Sequence, residues 1–405
     1  MNASVGELCY VETAARQWIP SEVIGGTMDE SQLLAFEPAE GIRPGSVVIS
    51  SGEPIRIPVG EALFGRTING LGRPVDGLAP LQGCPHVTLR QAAPKAMTRQ
   101  SIRQPFVTGQ RVIDGLLTLG QGQRIGLFAG GGVGKSTLLG EIAKHAQTDV
   151  NVIVLVGERG REVRPFIEEC LGSDGLKRSV VIVATSDETP LMKRQAVRAS
   201  LAIASYFRDQ GANVLYMLDS ITRLAQAQRE IGLACGEHPG TRGYPPSVFA
   251  LLARTLEQLG QNEHGSITGI VTVLVDGDDV DEPVSDAARA ILDGHLVMDR
   301  KLAAKGHFPA INVLHSTSRV FNDVTDSAHR LAVRQVRQNM ATYEDVRDLI
   351  QIGLYQAGIN RDADEAIRLM PQIDDFVKQD QGVFSSWAET QQLLESLCQN
   401  SEGGR

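Results

Sequence analysis

The stretch from Arg124 to Gln147, RIGLFAGGGVGKSTLLGEIAKHAQ, leaves this chain few folds to choose from. An apolar, strand-like run from Ile125 to Ala129 enters a cluster of glycines, passes Lys135, Ser136 and Thr137, and continues as a helix-like pattern. Strand, glycine loop, helix is the order of a phosphate-binding loop. Gly130, Gly131, Gly132 and Gly134, with Val133 among them, let successive N–H groups turn inward around a phosphate-sized hole. A helix starting near Ser136 adds the positive end of its dipole. Lys135 brings a mobile charge to the β- and γ-phosphates, and the Ser136 hydroxyl is a hard oxygen ligand for Mg²⁺. Position 129 is Ala where the pattern G-x-x-x-x-G-K-[ST] has Gly, a variant that the glycines after it accommodate. The expectation is a nucleoside triphosphate site at the end of a strand.

The rest of the chain is organised around that site. Its 405 residues suffice for two or three domains. Residues 1–82 hold short β-like runs (GELCYVE, SVVIS, IRIPV, ALFGRTI) separated by Gly, Pro, Asn and Asp, which predicts a small β-barrel or sandwich domain. Residues 83–320 begin with a Pro- and Gln-containing connector. Apolar runs then alternate with helical ones: NVIVLVG, SVVIVATS, NVLYMLD, ITGIVTVLV and HLVMD. That alternation predicts an α/β domain with a parallel sheet covered on both faces, and ligands in such sheets sit at the carboxyl ends of the strands. Residues 321–405 turn polar and helical and are expected to form a small helical domain.

A net charge of −9 argues against nucleic acid as the principal partner. The five cysteines are odd in number and scattered, as suits reduced thiols in a cytoplasmic protein. No apolar run approaches the ~18–20 residues of a membrane span, and MNASVGELCYVE does not read as a secretory leader.

Phosphoryl transfer to water needs a held metal, an oriented water and positive charge for the transition state. Asp219, closing the apolar run LYMLD, stands where a metal-holding carboxylate belongs, although a helix N-cap is the competing role. Glu158, in VGERGREV, is placed to polarise a water, or to pair with Arg159 or Arg161 at the surface. Arg319, in HSTSRVF, and Arg223, in DSITRL, are arginines that either stabilise transition-state charge or serve as structural ion-pair partners. The Gly- and Pro-rich segment from Gly232 to Phe249 is expected to be an irregular loop.

Taken together, PVGEALFGRTINGLGRPVDG, GQRIGLFAGGGVGKSTLLGEIA, VLVGERGREVRPFI, ATSDETPLMKRQ, LDSITRLAQAQREIGLACGE, GYPPSVFALL, VLVDGDDVDEP, ILDGHLVMDRKLA, GHFPAINVL and TSRV resemble the ATPases of flagellar and virulence type III protein export, relatives of the rotary ATP synthase catalytic subunit. The resemblance covers nearly the whole chain in order. It implies a RecA-like core between a β-barrel domain and a C-terminal helical domain, assembled as a homo-hexamer. It makes Lys135 and Ser136 the triphosphate and Mg²⁺ residues, Glu158 the catalytic glutamate with Arg159 as a second active-site residue, and Asp219 the Walker-B carboxylate. Arg319 matches a finger given to the neighbouring subunit's site. Phe308, in HFPA, matches the aromatic position on adenine, where Tyr is more usual. GEHPGTRGYPPS matches the loop facing a central stalk protein. Further implied partners are a regulatory or stator protein and chaperone-bound export substrates, with the ring peripheral at the cytoplasmic face of the inner membrane.

Such proteins usually carry further residues before GELCYVE that aid ring assembly and membrane contact, so a short N-terminus is expected to weaken the ring. VTVLVDGDD lacks the Phe-Tyr of many export ATPases, and GEHPG replaces a more usual Glu-Pro-Pro; both blur the choice between the flagellar and virulence branches. Three other readings compete. A subunit of an ion-motive ATP synthase is opposed by GERGREV and AQREIGLA. A hexameric RNA translocase is opposed by the acidic balance. A non-catalytic ring scaffold is opposed by the joint presence of Lys135, Glu158, Asp219 and Arg319.

Overall fold

The computed structural model of the chain describes residues 3–402 apart from Met28, Arg90 and 276–281, so the DGDDVD part of the resemblance lies outside the described residues. Seven short strands come first: β1 (Glu7–Glu12), β2 (Trp18–Gly26), β3 (Ser31–Ala35), β4 (Val48–Pro54), β5 (Arg56–Pro58), β6 (Thr67–Ile68) and β7 (His86–Thr88). The first four make an antiparallel sheet in the order β3-β2-β1-β4, and β5 pairs with β7 as an antiparallel ribbon. Residues of β1 alternate between buried and half-buried, as in a strand with one covered face.

After the pair β8 (Pro105–Phe106) and β9 (Leu119–Gly120), which brackets helix α1 (Arg111–Leu116), strands and helices alternate. β10 (Arg124–Ala129) leads to α2 (Lys135–His145). β11 (Val150–Val156) leads to α3 (Gly160–Pro165), a π-helical turn (Phe166–Leu171) and α4 (Gly172–Lys177). β12 (Ser179–Ala184) precedes α5 (Pro190–Asp209), and β13 (Asn213–Asp219) precedes α6 (Ile221–Ala234) and α7 (Pro246–Glu257). β14 (Gly260–Gln261) and β15 (Ser266–Leu274) precede α8 (Pro283–Ile291), followed by β16 (Gly294–Met298), α9 (Arg300–Ala304) and β17 (Ile311–Ser318). One sheet takes nine of these strands in the order β17-β16-β10-β15-β13-β11-β12-β6, with β14 beside β15.

The expected parallel sheet is present, with three additions. β6, from the N-terminal stretch, joins it in parallel to β12 at one edge. β17 closes the other edge antiparallel to β16, and β14 runs antiparallel to β15. Every residue of β11 is buried because both faces of the sheet are covered. Val150, Val152, Val154 and Val156 pack with α5 to α8 on one face, whereas Ile153 and Leu155 pack with α2 on the other. The irregular segment expected from Gly232 to Phe249 is shorter than that, since α6 continues to Ala234 and α7 starts at Pro246.

Two buried connections hold the outer parts to this core. Glu22 of β2, 4% exposed, accepts from Arg194 and Arg198 of α5 at 2.9 Å each, fixing the N-terminal sheet. Losing either arginine leaves a buried carboxylate undercompensated, which costs more than the pair contributes. At the other end come α10 (Phe321–Val324), α11 (Ser327–Gln351), α12 (Arg361–Val377) and α13 (Trp387–Glu402). Asp326 and Asn360 cap α11 and α12 with side-chain oxygens. Arg111 of α1 donates to the carbonyls of Asp375 (3.1 Å) and Phe376 (3.0 Å), satisfying the open end of α12. The His329 ring bonds the Gly115 carbonyl at 2.6 Å.

α2 itself lies hard against the π-helical turn. A β-carbon on Gly140 would stand 2.5 Å from the Cys170 carbonyl oxygen, a backbone atom that cannot swing away. Gly140→Ala is therefore expected to destabilise the protein by about 1–3 kcal/mol, as overpacked cores do. A lowered urea midpoint checks this; an unchanged midpoint contradicts the close approach.

Candidate active site

The sheet order sets β13 two strands and β11 three strands from β10, and the parallel direction puts their carboxyl ends on one side. Beyond β10 the chain bends through 130–134, and Gly134, with φ 85°, takes the left-handed turn that starts α2 at Lys135. Beyond β13 the Ser220 side chain caps α6 by accepting from Arg223 N, so the cap role open to Asp219 belongs to Ser220. Asp219 is left free to face the loop. Its Oδ1 receives Lys135 Nζ at 2.5 Å and the Thr272 hydroxyl at 2.7 Å, and the residue is 3% exposed. Just beyond β11, Glu158 Oε1 lies 3.6 Å from the same Lys135 Nζ. Lys135, Asp219 and Glu158 therefore meet in one place, although 84 residues separate the outer two in sequence.

Burial, reinforced by the Asp219 charge, pushes the Glu158 carboxyl above its ordinary value, against the pull of Lys135. Glu158 does not form the surface pair with Arg159 that was open to it. The Arg159 side chain is 68% exposed and holds Glu162 at 3.1 Å. Arg223 is exposed, donates to Gln226 at 3.1 Å, and lays its side-chain carbons over Gly157, next to Glu158. Thr272, which steadies Asp219, is a partner that no sequence motif marks.

Phe308 is 44% exposed and stands over Gly134, with its ring edge 3.3 Å from where a β-carbon would be. Beside it opens a cleft of about 440 Å³ bounded by Gly132, Gly134, Thr137, Phe308, Lys378 and Gln379. Its far wall thus comes from the chain after α12, a contribution absent from the sequence expectations. Gln379 secures that wall. Its N–H donates to the Phe308 carbonyl (2.9 Å), its Oε1 accepts from Arg111 N (2.9 Å), and its Nε2 donates to the Gly109 (2.7 Å) and Val383 (2.6 Å) carbonyls. A larger cleft of about 600 Å³ lies between α1 and α11, away from every residue of the Lys135 cluster.

Arg319 is not brought to the cluster. Its N–H donates to the Asp293 carbonyl, and Asp293 N–H donates to the Arg124 carbonyl, so Arg319 is level with the start of β10. The phosphate loop begins after the other end of that strand, roughly 16 Å away at ~3.3 Å per residue.

Among the described residues no group of three or more His, Cys, Asp or Glu could enclose a metal ion. One hydroxyl, Ser136, and one carboxylate, Asp219, are hard oxygen donors that suit Mg²⁺, which completes its shell with water and substrate phosphates.

Residues 109–318 match the family model described as the ATP synthase alpha/beta family, nucleotide-binding domain, and residues 325–396 match that of the T3SS EscN ATPase C-terminal domain. The chain is similar to a protein of Bacillus subtilis named flagellum-specific ATP synthase, 51% identical over 402 residues, covering 99% of this chain and 92% of that one. It is similar in fold to the solved structure of the assembled ATPase EscN from the type III secretion system of enteropathogenic E. coli. That TM-score is 0.93 at 44% identity, over 98% of this chain and 95% of the other. The structure of assembled EscN with its central stalk EscO matches with a TM-score of 0.91 at 43% identity, over 98% and 95%.

If Phe308 and the 378–381 segment enclose a base, Phe308→Ala should weaken nucleotide binding about 5- to 100-fold, the ~1–3 kcal/mol of aromatic–base stacking. Phe308→Tyr should bind as the parent does. Equilibrium titration with ADP checks this; equal affinity for the Ala variant contradicts the assignment.

Proposed function

The chain belongs to the ATP synthase alpha/beta family, among the flagellum-specific and type III secretion ATPases, and on that premise we propose that it hydrolyses ATP to drive protein export through a flagellar or virulence type III apparatus. The observation that carries this reading is the convergence of Lys135, Asp219 and Glu158 at the carboxyl ends of β10, β13 and β11.

In this reading the amides of 130–134, the start of α2 and Lys135 hold the phosphates. Ser136 and Asp219 hold Mg²⁺, which neutralises charge on the phosphate oxygens. Glu158 accepts a proton from the attacking water, a task its raised proton affinity suits. Arg159 and Arg223 flank Glu158 and add positive charge at the mouth of the site. Arg319, at the far end of its own sheet, completes a neighbour's site, so the working form is a homo-oligomeric ring, a hexamer. EscN is solved both assembled and with its central stalk, and the corresponding stalk contact here falls to the GEHPGTRGYPPS loop. A regulatory or stator protein and chaperone-bound export substrates are the remaining partners, with chaperone release and substrate unfolding as the work performed. The ring sits peripherally at the cytoplasmic face of the inner membrane. Among the described residues no helix is long and apolar enough to cross it.

Glu158→Gln is expected to cut turnover by about 10²–10⁴-fold and to leave nucleotide affinity nearly unchanged, with no stimulation of the parent by single-stranded RNA. Retained turnover removes the general-base role, and RNA stimulation favours a translocase. Glu158 must be ionised to accept a proton, and its proton affinity is raised. The acid limb of kcat/KM should therefore fall off at a pH above the ordinary glutamate value of 4.5; a limb at or below that value contradicts the assignment. Arg319→Ala is expected to lose about 10³-fold or more in turnover, as arginine fingers do, with ADP affinity within about 3-fold of the parent.

A further inference from the structure

Arg300 opens α9 immediately after β16, and it carries no role in the site described above. β16 lies beside β10 in parallel with Val297 level with Phe128, so the continued register sets residues 299 and 300 beside 130 and 131, where the phosphate loop begins. The peptide that carries Arg300 is fixed. Asp299 N–H donates to the Ala310 carbonyl at 2.8 Å, and its carboxylate accepts from Lys301 N at 2.7 Å and from Asn312 Nδ2 at 3.2 Å.

From this anchor the guanidinium rests on the loop. One of its terminal nitrogens lies 3.0 Å from the position a β-carbon on Gly130 would take. A side chain at 130 would press on the guanidinium. Arg300 is exposed, and among the described residues no carboxylate lies within ion-pair distance of it. Of the other arginines near the site, Arg159 is committed to Glu162 and Arg223 donates to Gln226. A guanidinium with no ion-pair partner among the described residues, whose fork of donors matches phosphate oxygens, therefore stands at the mouth of a phosphate-binding loop.

The loop also has a direction. The base cleft is bounded by Gly132, Gly134 and Thr137 and does not include Gly130. A nucleotide with its base there points its phosphates away from the cleft, and the terminal phosphate is the one nearest the loop's first glycines. We propose that Arg300 contacts the terminal phosphate of the bound triphosphate from within the same subunit, and so helps the site to tell ATP from ADP. The inference rests on the nucleotide-site reading above.

The test is equilibrium binding of Mg²⁺-ADP and of Mg²⁺ with the non-hydrolysable analogue AMPPNP to the parent chain, Arg300→Ala and Arg300→Lys. A lost charge-assisted bond should weaken AMPPNP binding to the Ala variant about 10-fold or more, leave ADP within about 3-fold, and be partly restored by Lys. Equal weakening of both nucleotides would assign Arg300 to holding the loop's shape, and no weakening would leave it a solvated surface charge; either overturns the proposal. A parent chain that binds neither nucleotide removes the site itself, an outcome distinct from an unchanged preference in the variant.

Discussion

One cation, the Lys135 ammonium, is shared by two carboxylates at the carboxyl ends of the core strands. Lys135 Nζ stands 2.5 Å from Asp219 and 3.6 Å from Glu158, in a pocket where all three side chains are largely withdrawn from water. Charges so placed are costly unless geometry is held, because desolvation is repaid only by close, well-aligned partners. The sheet supplies that geometry. β10, β13 and β11 are consecutive or near neighbours in the order, they run parallel, and each delivers one member of the cluster at or just beyond its carboxyl end. The fully buried apolar strands serve this end, since both cores clamp the sheet on which the charges are mounted. One positive charge against two negative ones also leaves the site with room for further positive charge, which the proposed Mg²⁺ would provide.

The two flanking units attach to the core at different places. The N-terminal sheet is joined to α5 through Glu22 and two arginines, far along the chain from the phosphate loop. The C-terminal helices reach the site directly, because the chain after α12 walls the cleft beside Phe308 and Gln379 ties that wall to 109–111 and to Phe308.

Much of this was legible in the sequence because it depends on local chemistry. The phosphate loop is written in consecutive residues, and the core strands are apolar runs that only a doubly covered sheet can bury. Asp219 and Glu158 could be located at strand ends, but their meeting with Lys135 is a consequence of strand order, which residue periodicity does not encode; for Glu158 the resemblance to export ATPases carried that information. Thr272 and Gln379 were invisible for the same reason, since a lone Thr in an apolar strand and a Gln after a helix carry no pattern. β17 escaped because INVLHSTS mixes apolar and polar residues, the mark of an edge strand with one face open. The segment from Gly232 to Phe249 looked longer than it is because the last turn of α6 contains Gly232 and the first of α7 begins with Pro246.

Arg319 lies level with the start of β10, away from the loop at the strand's other end, and the proposed role for it is in a neighbouring subunit's site. Mixing two inactive variants, Glu158→Gln and Arg319→Ala, tests this most directly. In a mixed ring a subunit lacking Arg319 keeps its own Glu158 and receives an intact Arg319 from a Glu158→Gln neighbour. ATP hydrolysis is expected to reappear on mixing, greatest near equal proportions, while each variant alone stays inactive. A mixture no more active than its components, under conditions where mixed rings are shown to form, would place the whole site within one subunit.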